Sequence, residues 1–245
     1  MAGEFISFYF HYKLSRKIPF TSLSGSIANV NFVTENDSII GLNITIQGPM
    51  DVSKAQAESD ASAFVLSDLI SIKSQKYTIP SLSGFEADDV HGNRHVQGSL
   101  VLMHDIEGAP VNLENIDLPA QILISSNPQK KAHISYLAKA VVLNYQHFPD
   151  HSLIELFKII EDNRSFPLYY KYYALRNVLA HSPAYIPSTI KYFLEYFDEN
   201  SFDYLRYDLD NKIIILNLNS NKTKNQLNRL VKALMKEIRI LLEVP

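Results

Sequence analysis

The sequence predicts an α+β chain in two domains: an antiparallel β-rich N-terminal domain with one long helix, and an all-α C-terminal bundle. Three observations lead there. Within the first 125 residues most apolar segments are short, aromatic or β-branched, and bounded by turn residues. From about residue 130 the apolar spacing becomes helical. The charge divides in the same place: residues 1–125 carry 7 Lys/Arg against 14 Asp/Glu (−7), and residues 126–245 carry 16 against 12 (+4). SSNPQKK, residues 125–131, supplies the break, so the domains are placed at 1–126 and 127–245, with different partners expected for each.

FISFYFHYKL (5–14) reads as the first strand. IANVNFVT (27–34) and SIIGLNITI (38–46) flank the turn-like ENDS, which predicts a hairpin. Gly48-Pro49 interrupts the chain. Residues 51–75 then read as one helix, capped by Asp51 or Ser53, with Ala55, Ala63, Leu66 and Ile70 on its apolar face. VQGSLVLMHDI (96–106) and LPAQILIS (118–125) read as further strands. In the second half, helices are expected over 132–146, 151–162, 165–181, 187–197 and 222–243. Ser165 would cap the third, with Pro167 in its first turn. Residues 204–220 suit a hairpin turning at Asp210-Asn211, or a loop with a short strand.

Several classes are excluded. The chain has no cysteine, so disulfides, thiolate nucleophiles and cysteine zinc sites are impossible. No apolar run reaches the roughly 18 residues that suggest a membrane span, and MAGEFISFYFHYKL lacks the basic start of a signal peptide. A cytoplasmic protein without a membrane partner is expected. His91, His95 and His104 could supply metal ligands, but HGNRH (91–95) reads as a loop and no His-Glu-x-x-His pattern supports it, so no metal or cofactor is expected. Phosphate-loop, dinucleotide-glycine and serine-elbow patterns are absent.

The most unusual stretch is YYKYYALRNVLAHSP, residues 169–183. Leu168, Tyr172, Leu175 and Leu179 form the expected buried stripe. Asn177 and His181 share another face, while Arg176 and His181 lie roughly 140° apart on an ideal helix. Pro183 disfavours helix at Ser182, so the helix should end beside His181. Arg176-Asn177-Val178-Leu179-Ala180-His181 resembles the R-N-x-x-x-H motif of the HEPN superfamily, whose domains are all-helical. The resemblance covers about residues 130–245, and includes helices before the motif, an insert after it and a long basic final helix.

That resemblance implies a metal-independent endoribonuclease, of the kind found in toxins and anti-phage defence, acting on an RNA substrate. His181 would be the general acid/base, Arg176 the clamp on the phosphate and its developing charge, and Asn177 an orienting group. Tyr169 and Tyr173, on the Arg176 side, could stack bases. Lys222, Lys224, Arg229, Lys232 and Lys236, with Arg239, could follow an RNA backbone. The resemblance also implies a homodimer through the C-terminal domain with two motifs in one cleft, and pairing would bring Arg176 and His181 together without bending the helix. The N-terminal domain would take a regulatory protein or ligand. Plainer readings stand beside these. Arg176 could bridge helices through a carboxylate, His181 could cap a helix, the tyrosines could be packing, and the basic helix could be a solvated face. A non-catalytic module binding a protein or nucleotide is the alternative function.

Overall fold

The computed structural model describes residues 5–23, 29–99, 110–114, 120, 123–180, 187–211 and 213–244. It is a mixed α+β chain that divides into two compact units, residues 1–138 and 139–245. The division falls inside a helix, twelve residues beyond the break read from SSNPQKK.

The first unit is organised around one long strand, β1 (Phe5–Leu23). With β2 (Val30–Glu35), β3 (Ser38–Met50), β4 (Pro80–Asp89) and β5 (Arg94–Gly98) it forms an antiparallel sheet in the order β2-β3-β1-β4-β5. The end of β1 also pairs in parallel with β6 (Val111–Leu113). Alternation explains β1: Phe8, Phe10, Tyr12 and Leu14 are buried, while the residues between them point to the other face. Each fully buried phenylalanine contributes about 1.5–3 kcal/mol. The β2–β3 hairpin turns where expected, at Asn36 and Asp37, whose φ angles of 47° and 55° suit a two-residue turn with both central residues left-handed.

Helix α1 (Val52–Ser74) covers β1 and β3. Its cap is Asp51, whose Oδ1 accepts from the Lys54 N–H at 2.8 Å. Ala55, Ala63, Leu66 and Ile70 are buried as expected, but so is every residue from Val65 to Ile72, because the helix is covered on more than one side. Asp68 is among them at 7% exposure. Burial pushes its carboxyl up to about 7, against a hydrogen bond from Ser135 that favours the charged form.

Gly41 of β3 faces Tyr12 of β1 so closely that a Cβ there would clash with the Tyr12 carbonyl oxygen. The backbones must separate to admit even a methyl group. Gly41→Ala is expected to cost about 2–3 kcal/mol, the upper range for overpacking, read as a lower urea midpoint at unchanged slope.

Strand β4 is not anticipated by the sequence, because Pro80, Gly84 and two serines are weak strand formers; pairing on both sides, with β1 and β5, holds it. The strand expected over 118–125 is instead helical at 120, 123 and 124. Ala120 and Leu123 are buried three apart, a helical spacing. Of the strand expected over 96–106, residues 96–98 belong to β5, and 100–106 lie outside the described residues.

Helix α2 (Pro128–Tyr145) runs across the division. The second unit contains α3 (Pro149–Ile160), α4 (Tyr169–Ala180), α5 (Pro187–Tyr196), strands β7 (Tyr204–Asp208) and β8 (Ile213–Leu216), and α6 (Asn221–Leu242). It is therefore not all-α: β7 and β8 form an antiparallel pair. Helix α3 packs on α4 and α6, and α4 packs on α5 and β8. Leu153, Leu156, Leu175, Val178, Phe193, Val231, Leu234 and Ile238 are core residues. Among the described residues no helix is long and apolar enough to cross a membrane.

Candidate functional site

Helix α4 begins four residues later than expected. Leu168 takes a left-handed φ of 59°, which a helix interior excludes, and its side chain is 53% exposed rather than part of the buried stripe. Ser165 is not a cap: its hydroxyl donates to Asn163 Oδ1 at 2.7 Å. The buried face consists of Tyr169, Tyr172, Ala174, Leu175, Asn177 and Val178, with Leu179 half-buried.

Arg176 lies half-buried near the end of α4. Its Nη1 donates to Asn177 Oδ1 at 2.8 Å, its Nη2 is 3.9 Å from Glu161 Oε1, and its guanidinium carbon sits 5.8 Å from the Phe157 ring centre. The fork is thus hydrogen-bonded to an amide, against an aromatic face and beside a half-exposed carboxylate. Asn177 is only 4% exposed, and its Nδ2 donates to Thr189 Oγ1 of α5 at 3.3 Å. It therefore links α4 to α5 and holds Arg176. His181 lies outside the described residues, as does Pro183.

The tyrosines form an intrachain cluster. Tyr169 stacks on Tyr173 at 6.1 Å, contacts Phe157 at 5.7 Å, and donates its hydroxyl to the Glu161 carbonyl at 3.0 Å. At 7% exposure Tyr169 is closed to a base, and burial raises its phenol pKa. Tyr169 is thus a packing residue rather than the base-stacking platform expected of it. Tyr173 is half-buried. The ring pair with open surface is Tyr170 on Tyr192, stacked at 4.4 Å, with Tyr170 37% exposed. Sequence reasoning does not find Glu161, Thr189 or Tyr192, because each comes from another segment and periodicity within α4 carries no signal for it.

Asn177→Ala is expected to destabilise the chain by about 1–3 kcal/mol, since Thr189 and the Arg176 fork lose a buried partner. Chemical denaturation of the variant against wild type measures it.

On α6, capped by Ser220, the side chains of Lys222, Lys224, Arg229, Lys232 and Lys236 are all exposed. Lys222, Arg229, Lys232, Lys236 and Arg239 follow at spacings of 7, 3, 4 and 3 and form one stripe, opposite a buried face that includes Leu227, Leu234 and Ile238. Lys224, five residues before Arg229, falls off that stripe. Lys222 pairs with Asp203 at 3.7 Å. Lys232, Lys236 and Arg239 line a hollow of about 560 Å³ with Met235, Ile240, Glu243 and Val244. Three cations against one carboxylate give it a positive field suited to a phosphate.

The histidine-rich loop is a turn around Asp89, whose carboxylate accepts from the backbone of His91 and Asn93 and from the Asn93 side chain. These bonds hold its pKa well below the ordinary range. His95 approaches the same carboxylate at 3.4 Å, and His104 lies outside the described residues. No three-residue metal-ligand cluster occurs among the described residues. The chain matches no protein-family model, no curated protein and no solved structure.

Proposed function

We propose that this chain is a metal-independent endoribonuclease of the HEPN type, with Arg176 as the phosphate clamp and His181 as the proton-transfer group. The observation carrying the reading is the Arg176 arrangement. A guanidinium is held by Asn177, Glu161 and the Phe157 ring on the helix that leads into His181. The stripe on α6 adds a sequence-independent attraction for a phosphate backbone.

In the proposed reaction the 2′-oxygen of RNA attacks the adjacent phosphorus as the bond to the 5′-oxygen breaks. The histidine moves protons between the 2′-hydroxyl, the leaving oxygen and solvent, and the guanidinium stabilises charge on the phosphoryl oxygens. Pairing of two chains through residues 139–245 would supply a second Arg, Asn and His. Biologically, the reading fits a toxin or defence effector.

Purified protein is expected to cut RNA in EDTA, to leave DNA of the same sequence intact, and to produce 2′,3′-cyclic phosphate ends. A strict requirement for magnesium or manganese rejects the mechanism. A second reading, a non-catalytic binding module, is favoured by one specific fact: Asn177 is buried and bonded to Arg176 and Thr189, a packing role complete without substrate.

A further inference from the structure

The first unit contains a cleft that the ribonuclease reading leaves unused. One wall is Val30 of β2 with Ile44 and Ile46 of β3. The facing wall is the first half of α1, where Ala57 and Ala61 stand one turn apart. Ile124 and Lys131 also line it, with Asn29 beside Val30. Two alanines in place of longer side chains leave the space open, and its volume is about 530 Å³, within the range of small-molecule sites.

The distribution of polar groups selects the ligand. The walls are hydrocarbon apart from Asn29 and Ser62, and the Ser62 hydroxyl is already committed to the Glu58 carbonyl at 3.0 Å. A sugar or a base would therefore find few hydrogen-bond partners along its body. Charge enters through Lys54, Lys131 and Glu58. Among the described residues neither lysine ammonium has a carboxylate partner within 4.0 Å. Two cations against one anion make the cleft locally positive, although residues 1–138 carry 9 Lys/Arg against 14 Asp/Glu. An apolar cleft with net positive charge complements a hydrocarbon tail bearing an anionic head.

We propose that this cleft binds a single-chain amphipathic carboxylate, its tail between α1 and the β2–β3 hairpin and its head at Lys54 and Lys131. The site gives the first unit a small-molecule ligand, whatever reaction the second unit performs.

The test is calorimetric titration of the full chain with sodium decanoate below its micelle concentration. Saturable one-to-one binding is expected, with none for decyltrimethylammonium, which has the same tail and the opposite charge. The double variant Lys54→Gln/Lys131→Gln should weaken decanoate by about tenfold or more, the scale of losing charge-assisted hydrogen bonds. Ala61→Phe fills the cleft and should abolish binding. Ala57→Leu fills it from an exposed position and serves if the first variant does not fold by circular dichroism. Absence of saturable decanoate binding to wild type overturns the proposal. So does equal affinity for the cationic amphiphile, or undiminished binding in a folded cleft-filling variant.

Discussion

Under the proposed mechanism, alanine at His181 is expected to lower RNA cleavage by about 10²–10⁴-fold, the usual consequence of losing a positioned general acid or base. Alanine at Arg176 costs a comparable factor, on the order of 3 kcal/mol of transition-state stabilisation. The structure sharpens the arginine case. Its guanidinium contacts Asn177, Glu161 and the Phe157 face together, an arrangement that uses a planar fork. Arg176→Lys is therefore expected to recover little activity, because an ammonium keeps the charge but not the geometry. Single-turnover cleavage rates, read beside melting curves of each variant, separate chemistry from packing. Rates should fall in both variants, with the melting temperature of His181→Ala close to wild type and that of Arg176→Ala lowered modestly, because the buried Asn177 Oδ1 loses its donor. A collapse of both melting temperatures, with wild-type activity in the remaining folded fraction, assigns the two residues to packing.

Asp68 is expected to make the stability of the chain fall as pH rises from about 4 to about 7, and Asp68→Asn to flatten that dependence. Burial pushes the Asp68 carboxyl up from 3.8 to about 7, while the unfolded chain keeps an ordinary value. Below the unfolded value the group is protonated in both states and costs nothing. Between the two values the unfolded chain releases its proton first, so stability declines with rising pH. Above about 7 the cost is fully present. Three pKa units correspond to about 4 kcal/mol. Asparagine keeps an acceptor for the Ser135 hydroxyl and carries no charge. The variant should gain stability over wild type at pH 8 and little or none at pH 4. Urea midpoints at the two pH values measure the difference; a wild-type-like slope of stability against pH in the variant would falsify the assignment.

Much of the architecture was legible because local pattern and tertiary packing agree. The β2–β3 hairpin, its Asn36-Asp37 turn, the Asp51 cap and the amphipathic α6 all follow from residues within a few positions of one another. What escaped depends on distant partners. Strand β4 is held by its neighbours on both sides, and β6 by the far end of β1. Helix α4 starts late because Leu168 adopts a backbone conformation that its identity does not announce. At the candidate site, Arg176 and Asn177 could be singled out as residues, but their surroundings could not. Phe157 and Glu161, from the end of α3, set the surroundings of Arg176, and Thr189 of α5 supplies the partner of the buried Asn177 amide.

The length of β1 bears on how the chain is made. Its residues pair with β3, then β4, and finally β6, so Phe20 must wait for Val111 before its last partner exists. During synthesis the aromatic run Phe5–Tyr12 emerges long before the strands that cover it. Such a segment, rich in β-forming residues and unpaired, is a nucleus for intermolecular pairing until its neighbours arrive. Sheet closure across so many intervening residues is also slow, whereas α4 packs on α3 and α5, its neighbours along the chain, and such local contacts form quickly. The yield of native protein is thus expected to depend on how well that aromatic run is sheltered, by the ribosome or a chaperone, until β3, β4 and β6 are available to pair with β1.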